Sequence, residues 1–198
     1  MSGQPPGAGS GHHCLENFLD ATHTHFVHAG WVRSPGPRTP TKVDIRAQDD
    51  WVEATYWDEA PQSGWIPRLL EGGRSHSIGR FRLPWIAEIE YHSKQALTFA
   101  VTAFVISASA QEQVAQVLIA TPKGILPGWL KRLILQPLLL FVTAQDQRMV
   151  KMQSDHLAKF SGPRYHQGPL DLLRPHMVRL LEGGPIERPV HRQVVMEL

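Results

Sequence analysis

The chain has one cysteine, Cys14, among 198 residues. No intrachain disulfide is possible, which fits a reducing compartment, and cytoplasm is the expected location. A Cys₄ iron–sulfur centre or zinc ribbon is excluded, and so is a Rieske cluster, which needs two Cys and two His. Charge is also scarce: Asp, Glu, Lys and Arg make up 19% of the residues and the net charge is +2. The basic residues are scattered, so there is no electrostatic case for nucleic acid. No Gly-x-Ser-x-Gly and no phosphate-cradling Gly-x-x-x-x-Gly-Lys-Ser/Thr occurs. Long apolar runs are missing as well. The best membrane candidate, Ile125 to Val142, is interrupted by Pro127, Lys131, Arg132, Gln136 and Pro137, which is too short a run to span. A buried or pocket-lining helix fits it better. Trp129-Leu130-Lys131-Arg132 is nonetheless amphipathic, which keeps a peripheral membrane contact open.

What is abundant is histidine, 11 residues, and tryptophan, 6 residues. Hydrophobic content of 42% is that of a globular chain, and the length suits one domain with a substantial core. Met1 to Gly11, rich in Gly, Pro and Ser, reads as a flexible lead without the charged start and apolar stretch of a signal peptide. The expected organisation is a lead over 1–11, one domain over 12–184 and a tail over 185–198.

The elements follow from periodicity. Leu15 to about Val27 reads as a helix. Ser34 to Pro40 reads as a loop. Thr41 to Ala47 and Trp51 to Trp57 alternate apolar and polar residues as a hairpin. Gln62 to Ser77 is mostly loop. Gly79 to Leu83, Trp85 to His92, Leu97 to Ser107 and Glu112 to Thr121 read as strands. Leu126 to about Phe160 is helical, broken or kinked near Pro137. Leu170 to Leu181 is a last helix ended by Gly183-Gly184.

The chemistry concentrates in Glu16-Asn17-Phe18-Leu19-Asp20-Ala21-Thr22-His23-Thr24-His25-Phe26-Val27-His28. His23 and His28 could bind one divalent metal if the backbone aims both rings at one point, with a carboxylate completing a two-His-one-carboxylate face. On a regular helix of about 3.6 residues per turn, positions five apart diverge by roughly 140°. The helix must therefore distort or end between them, with Ala29-Gly30 beyond as a stop. Asp20, three residues before His23, would share its helical face and could orient the ligating ring. The bland alternative is a chance surface cluster. The remaining histidines, including His12, His13, His76, His92, His156, His166, His176 and His191, read as surface or loop residues.

Asn17-x-x-Asp20-x-x-His23-x-x-x-x-His28 resembles the mononuclear-iron motif of Rieske-type ring-hydroxylating oxygenases, in particular the monooxygenase and demethylase branch with its pheophorbide-oxygenase-like members. The resemblance implies iron ligation by His23 and His28. It implies a bridging role for Asp20 in electron transfer from a neighbouring cluster, and a place for Asn17 close to the iron. The third ligand is implied in Phe141-Val142-Thr143-Ala144-Gln145-Asp146-Gln147-Arg148-Met149-Val150, where Asp146 is the choice. Asp155, Asp171, Glu112, Asp44, Asp49 and Asp50 are competitors, and without the motif Asp146 weighs no more than Asp155.

The implied fold is α+β, a helix-grip (START/Bet v 1-like) curved antiparallel sheet with long C-terminal helices and a cavity between. Inward residues of Leu97 to Ser107 and Glu112 to Thr121 would line that cavity. The implied cofactor is mononuclear Fe(II), with no iron–sulfur cluster in this chain. The implied partners are an apolar or aromatic substrate, O₂ and a separate Rieske- or ferredoxin-type electron donor, and weakly a homotrimer. The implied activity is hydroxylation or demethylation. Two other readings stand beside it: a non-enzymatic carrier of an apolar small molecule, and a degenerate fragment.

Overall fold

The computed structural model describes residues 8–32, 38–57, 74–94, 96–108, 113–124, 127–160, 167–184, 186 and 188–198. Seven strands form one antiparallel sheet: β1 (Pro40–Gln48), β2 (Trp51–Trp57), β3 (Arg74–Arg82), β4 (Ile86–Ser93), β5 (Leu97–Ser107), β6 (Gln113–Ala120) and β7 (Val190–Glu197). Their order is β6-β5-β4-β3-β2-β1-β7. Among the described residues three helices accompany it: α1 (Ala8–Leu19), α2 (Gly128–Lys159) and α3 (Arg174–Leu181). This is the α+β helix-grip architecture that the sequence leads one to expect, with a curved sheet and a long helix near the C-terminus.

The registers show how the sheet divides its two faces. One lateral row runs Val190, Ala47, Val52, Phe81, Ala87, Ala103, Val117 across all seven strands. Ala47, Val52, Phe81, Ala87 and Ala103 in it are buried. The next residue along each strand points the other way, as the period of two requires. There the row reads His191, Arg46, Glu53, Arg80, Glu88, Thr102, Leu118. Arg80 binds Glu53 at 2.9 Å, Glu88 at 2.8 Å and Glu90 at 3.3 Å, a cross-strand charge pattern that fixes register. The apolar face receives α1 through Leu15 and Leu19 and α3 through Met177 and Leu180.

Several boundaries differ from the sequence reading. The first helix ends at Leu19, not Val27, because the Asp20 carboxylate accepts hydrogen bonds from Thr22 N at 2.7 Å and Thr22 Oγ1 at 2.6 Å. This side-chain turn competes with the helical ladder. The helix begins at Ala8, inside the stretch expected as a flexible lead. Buried His13 and Leu15 anchor it there despite the poor helix propensity of glycine. His13 is accordingly not a surface residue, and His76 and His92 belong to β3 and β4 rather than loops. Residues expected as a C-terminal tail hold β7, which pairs with β1 from Pro40 to Ala47. α2 continues through Pro137 as one helix. Pro137 is exposed, so water can satisfy the carbonyl left without a donor. The loop expected over Gln62 to Ser77 gives way to β3 from Arg74, and its earlier part lies outside the described residues. Gly183, at φ 76, ends α3 as expected, its N–H donating to Leu180 O at 3.1 Å.

Among the described residues, no helix is long and apolar enough to cross a membrane.

The charge cluster makes stability pH-dependent. Burial alone would raise the Glu90 carboxyl, but His92 and Arg80 outweigh it and hold it below its ordinary value of 4.5. A carboxyl depressed on folding stabilises fully above that value and loses its contribution as pH falls through the lower folded one. Glu90→Gln should therefore be less stable than the parent chain at pH 7, by up to about 1 kcal/mol after screening. The gap should close in acid. Urea denaturation across pH checks this; a gap that stays constant below pH 4.5 contradicts it.

Candidate metal centre

The turn that ends α1 makes the site. With the helix stopped at Leu19, the chain passes through a short 3₁₀ turn, His23–His25, before reaching His28. His23 and His28 are thus free of the helical divergence that would separate them. Gly30, at φ 83, reverses the chain just beyond, and Trp31 N and Val32 N both bond His28 O at 3.0 Å. The two rings meet edge to face, with centroids 5.1 Å apart. α2 brings Asp146 to the same point.

Three ligand atoms form a triangle. His23 Nε2 and His28 Nε2 are 3.3 Å apart. Asp146 Oδ1 is 3.6 Å from His23 Nε2 and 3.2 Å from His28 Nε2. These three residues make up the group that could hold a metal ion among the described residues. Donors about 2.1 Å from a shared metal lie about 3.0 Å apart at a right angle and about 3.4 Å apart at the tetrahedral angle. Two edges, 3.2 and 3.3 Å, fall in that range, and the third, 3.6 Å, lies just above it.

The hydrogen bonds say which atoms carry lone pairs. His23 Nδ1 donates to the main-chain oxygen of Asp20. His28 Nδ1 donates to Gln145 Oε1 at 2.8 Å. Each neutral ring then has its proton on Nδ1, and each Nε2 presents a lone pair to the triangle. Asp146 adds a carboxylate oxygen, itself held by Asn17 Nδ2 at 3.0 Å. Three electron pairs converging with no proton among them repel unless a cation lies between, so the donor set fits a divalent metal. His28 is buried, His23 nearly so, while Asp146 remains partly open, with 27% of its side chain accessible.

Without a metal, protons take the role of the cation, unequally. Burial dominates at His23 and lowers its pKa, although the Asp20 carbonyl and Asp146 oppose it. At His28 burial also lowers, but the hydrogen bonds its protonated ring donates to Asp146 and Gln145 outweigh it and raise the pKa. Cys14, on the last turns of α1, is raised by burial and then by Asp146, so it is a protonated thiol.

The structure brings His23, His28, Asp146 and Asn17 together. Asp20 differs from the simplest expectation. It shares no helical face with His23, and its main-chain oxygen, not its carboxylate, orients the ring; the carboxylate is exposed and bonded to Thr22. Gln145 escaped sequence reasoning, because a glutamine beside the carboxylate carries no signal until α2 is rotated into place. The competing carboxylates are occupied elsewhere: Asp155 pairs with Lys151 at 3.3 Å, Asp171 accepts from Gly168 N, and Asp44 accepts from Trp57 Nε1. Glu112 lies outside the described residues.

A cavity of about 460 Å³ opens beside the triangle, between the apolar face of β4–β6 and α2. Phe99, Val101, Ala103 and Val105 of β5 line it, as do Ala115 and Val117 of β6, the strands expected to do so. Leu135, Leu139 and Val142 of α2 form the opposite wall, and His23, His28 and Asp146 interrupt this apolar lining.

Comparison with known proteins bears on the fold. No family model matches the chain, and no curated protein matches it. Two solved structures of NdmA from Pseudomonas putida CBB5 are similar. The QL mutant with theobromine aligns at TM-score 0.60 and 15% identity, over 94% of this chain and 54% of that one. The structure with caffeine aligns at TM-score 0.57 and 14% identity, over 89% and 47%. The chain thus spans about half the length of the NdmA chain. The likeness shows that the chain shares its fold with the matched part of NdmA.

Gln145→Ala removes the acceptor that holds the His28 ring. Divalent-metal affinity should fall about 10- to 100-fold, as for other groups that orient a ligand. Anaerobic titration with Fe(II) or Co(II) reads it; unchanged affinity would show that Gln145 does not set the ring.

Proposed function

We propose that this chain is the catalytic component of a non-haem Fe(II) oxygenase. It would use O₂ and externally supplied electrons to hydroxylate or demethylate an apolar or aromatic molecule. The observation that carries the reading is the triangle of two imidazole lone pairs and one carboxylate facing an apolar cavity. Three protein ligands on one side leave positions open on the other, the arrangement of non-haem Fe(II) oxygenases. The fold likeness to NdmA, determined with caffeine and with theobromine, agrees with it.

In this reading His23, His28 and Asp146 hold the metal. Iron, when bound there, supplies one-electron chemistry toward O₂. Asn17 and Gln145 keep the carboxylate and the buried ring in place, and the Asp20 carbonyl fixes the other ring. The walls from β5, β6 and α2 seat an apolar body beside the metal and shed water. With one cysteine, these 198 residues cannot hold a Rieske cluster, and we assign electron delivery to a Rieske- or ferredoxin-type centre outside them. The Asp20 carboxylate is exposed one bond network away from His23, and it is the group we assign to that contact. A homotrimer and a cytoplasmic setting complete the proposal.

The deciding experiment is iron content after anaerobic Fe(II) loading and desalting. The parent chain should retain near-stoichiometric iron, and His23→Ala and Asp146→Ala should retain almost none, with circular dichroism unchanged. Iron that persists in both variants overturns the assignment. An iron-free parent chain that takes up apolar probes tightly, indifferent to Asp146→Ala, would establish a carrier instead.

A further inference from the structure

α2 is apolar on two sides. One side walls the cavity. The other carries Trp129, Leu133 and Leu140, which are 69%, 68% and 63% exposed. Positions i, i+4 and i+11 fall on one stripe at about 100° per residue. Ile134 and Phe141, about 120° to 140° round the helix from Trp129, are exposed too, and Phe141 packs on Trp31 with ring centroids 4.6 Å apart. In this 32-residue helix Leu135 is the buried residue.

Charge in this stretch of the sequence has one sign. From Gln113 to Gln145 the sequence has no Asp or Glu, whereas Lys123, Lys131 and Arg132 are all basic. Lys131 Nζ bonds Thr121 Oγ1 at 3.3 Å and Pro122 O at 2.6 Å, tying the start of α2 to the end of β6. Arg132 is exposed and held by Gln136. The acidic residues of the neighbouring strands, Glu53, Glu88 and Glu90, lie on the opposite face of the sheet and are gathered by Arg80. An exposed stripe of Trp and Leu with Arg132 about 60° round the helix beside it, and no acid in its stretch of sequence, is complementary to a layer that is apolar inside and anionic outside.

We infer that the N-terminal half of α2 docks in the plane of an anionic lipid bilayer surface. The helix does not cross it, since no described helix is long and apolar enough to do so. Leu135, Leu139 and Val142 of the same turns wall the cavity, and Ala115 and Val117 line it while remaining exposed. A docked helix therefore sets the open side of the cavity beside the acyl layer. Where the oxygenase reading holds, its substrate is drawn from molecules dissolved in that layer; the docking itself does not depend on that reading.

Flotation of the iron-loaded chain with phosphatidylcholine vesicles, with and without a minority of phosphatidylglycerol, tests this. Binding should be about tenfold or more tighter to the anionic vesicles, given roughly 1 kcal/mol per basic residue near the surface. High salt should weaken it. Arg132→Glu should remove most of the anionic preference, and Trp129→Ala with Leu133→Ala should abolish flotation, with iron content unchanged in both variants. No flotation, or flotation equal in parent and variants, overturns the inference. So does a parent chain that elutes as a dimer which the Trp129→Ala, Leu133→Ala pair converts to monomer, because the stripe would then cover a second copy. Iron loss with intact flotation would instead fault the metal reading alone.

Discussion

The arrangement on which the site depends is the convergence of three electron pairs at one point. Two imidazole nitrogens and a carboxylate oxygen 3.2 to 3.6 Å apart repel each other in a partly desolvated setting. The chain holds them there by spending other polar groups on them. The Asp20 carbonyl, Gln145 and Asn17 each fix one of the three, and none is itself part of the triangle. Such a cluster is a poor way to hold a fold together and a good way to hold a cation.

The same cluster joins elements far apart in sequence. His23 and His28 follow α1, and Asp146 lies midway along α2. Leu135 is the buried residue of α2, and a cavity separates much of the helix from the sheet. Hydrophobic contact thus does little to seat α2 at this level. The polar contacts to Asp146 and Gln145 set its rotation and height over the cavity, so metal binding and the cavity's shape are physically coupled. The sheet is independent of this. Its stability comes from the row of buried residues under α1 and α3, and from the Arg80 cluster on the reverse.

Much of this was legible in the sequence, for definite reasons. Period-two alternation is strong in Thr41 to Ala47 and Trp51 to Trp57, and the hairpin falls where it predicts. Leu97 to Ser107 is dense in β-branched and aromatic residues and is a strand over that whole range. His23, His28 and Asp146 were legible only as members of a motif, because spacing on an ideal helix sets His23 and His28 apart. What could not be read was local competition. Asp20 looks helical by its neighbours, yet its carboxylate captures Thr22 and ends α1. β7 looked like a tail because its strand character depends on β1, more than 140 residues earlier in the chain and a partner that local pattern cannot reveal. Arg46 and Arg192 lie in adjacent lateral rows, and such exposed residues carry no apolar signal for pairing.

α2 illustrates why composition alone misleads about burial. The apolar stretch from Ile125 to Val142 suits a buried helix by content, yet most of its described part, Pro127 to Val142, is exposed. A helix with one apolar stripe buries that stripe and is finished. A helix with two must find a second apolar surface or leave one in water, at a cost that scales with exposed area. Here one stripe walls a cavity that is itself unfilled by side chains, and the other meets solvent, so neither is satisfied by the fold. Both deficits are met when an apolar molecule enters the cavity and an apolar layer covers the stripe. The absence of any acid between Gln113 and Gln145 then selects an anionic boundary for that layer, since opposite charge is the only attraction those basic residues can offer beyond the stripe itself.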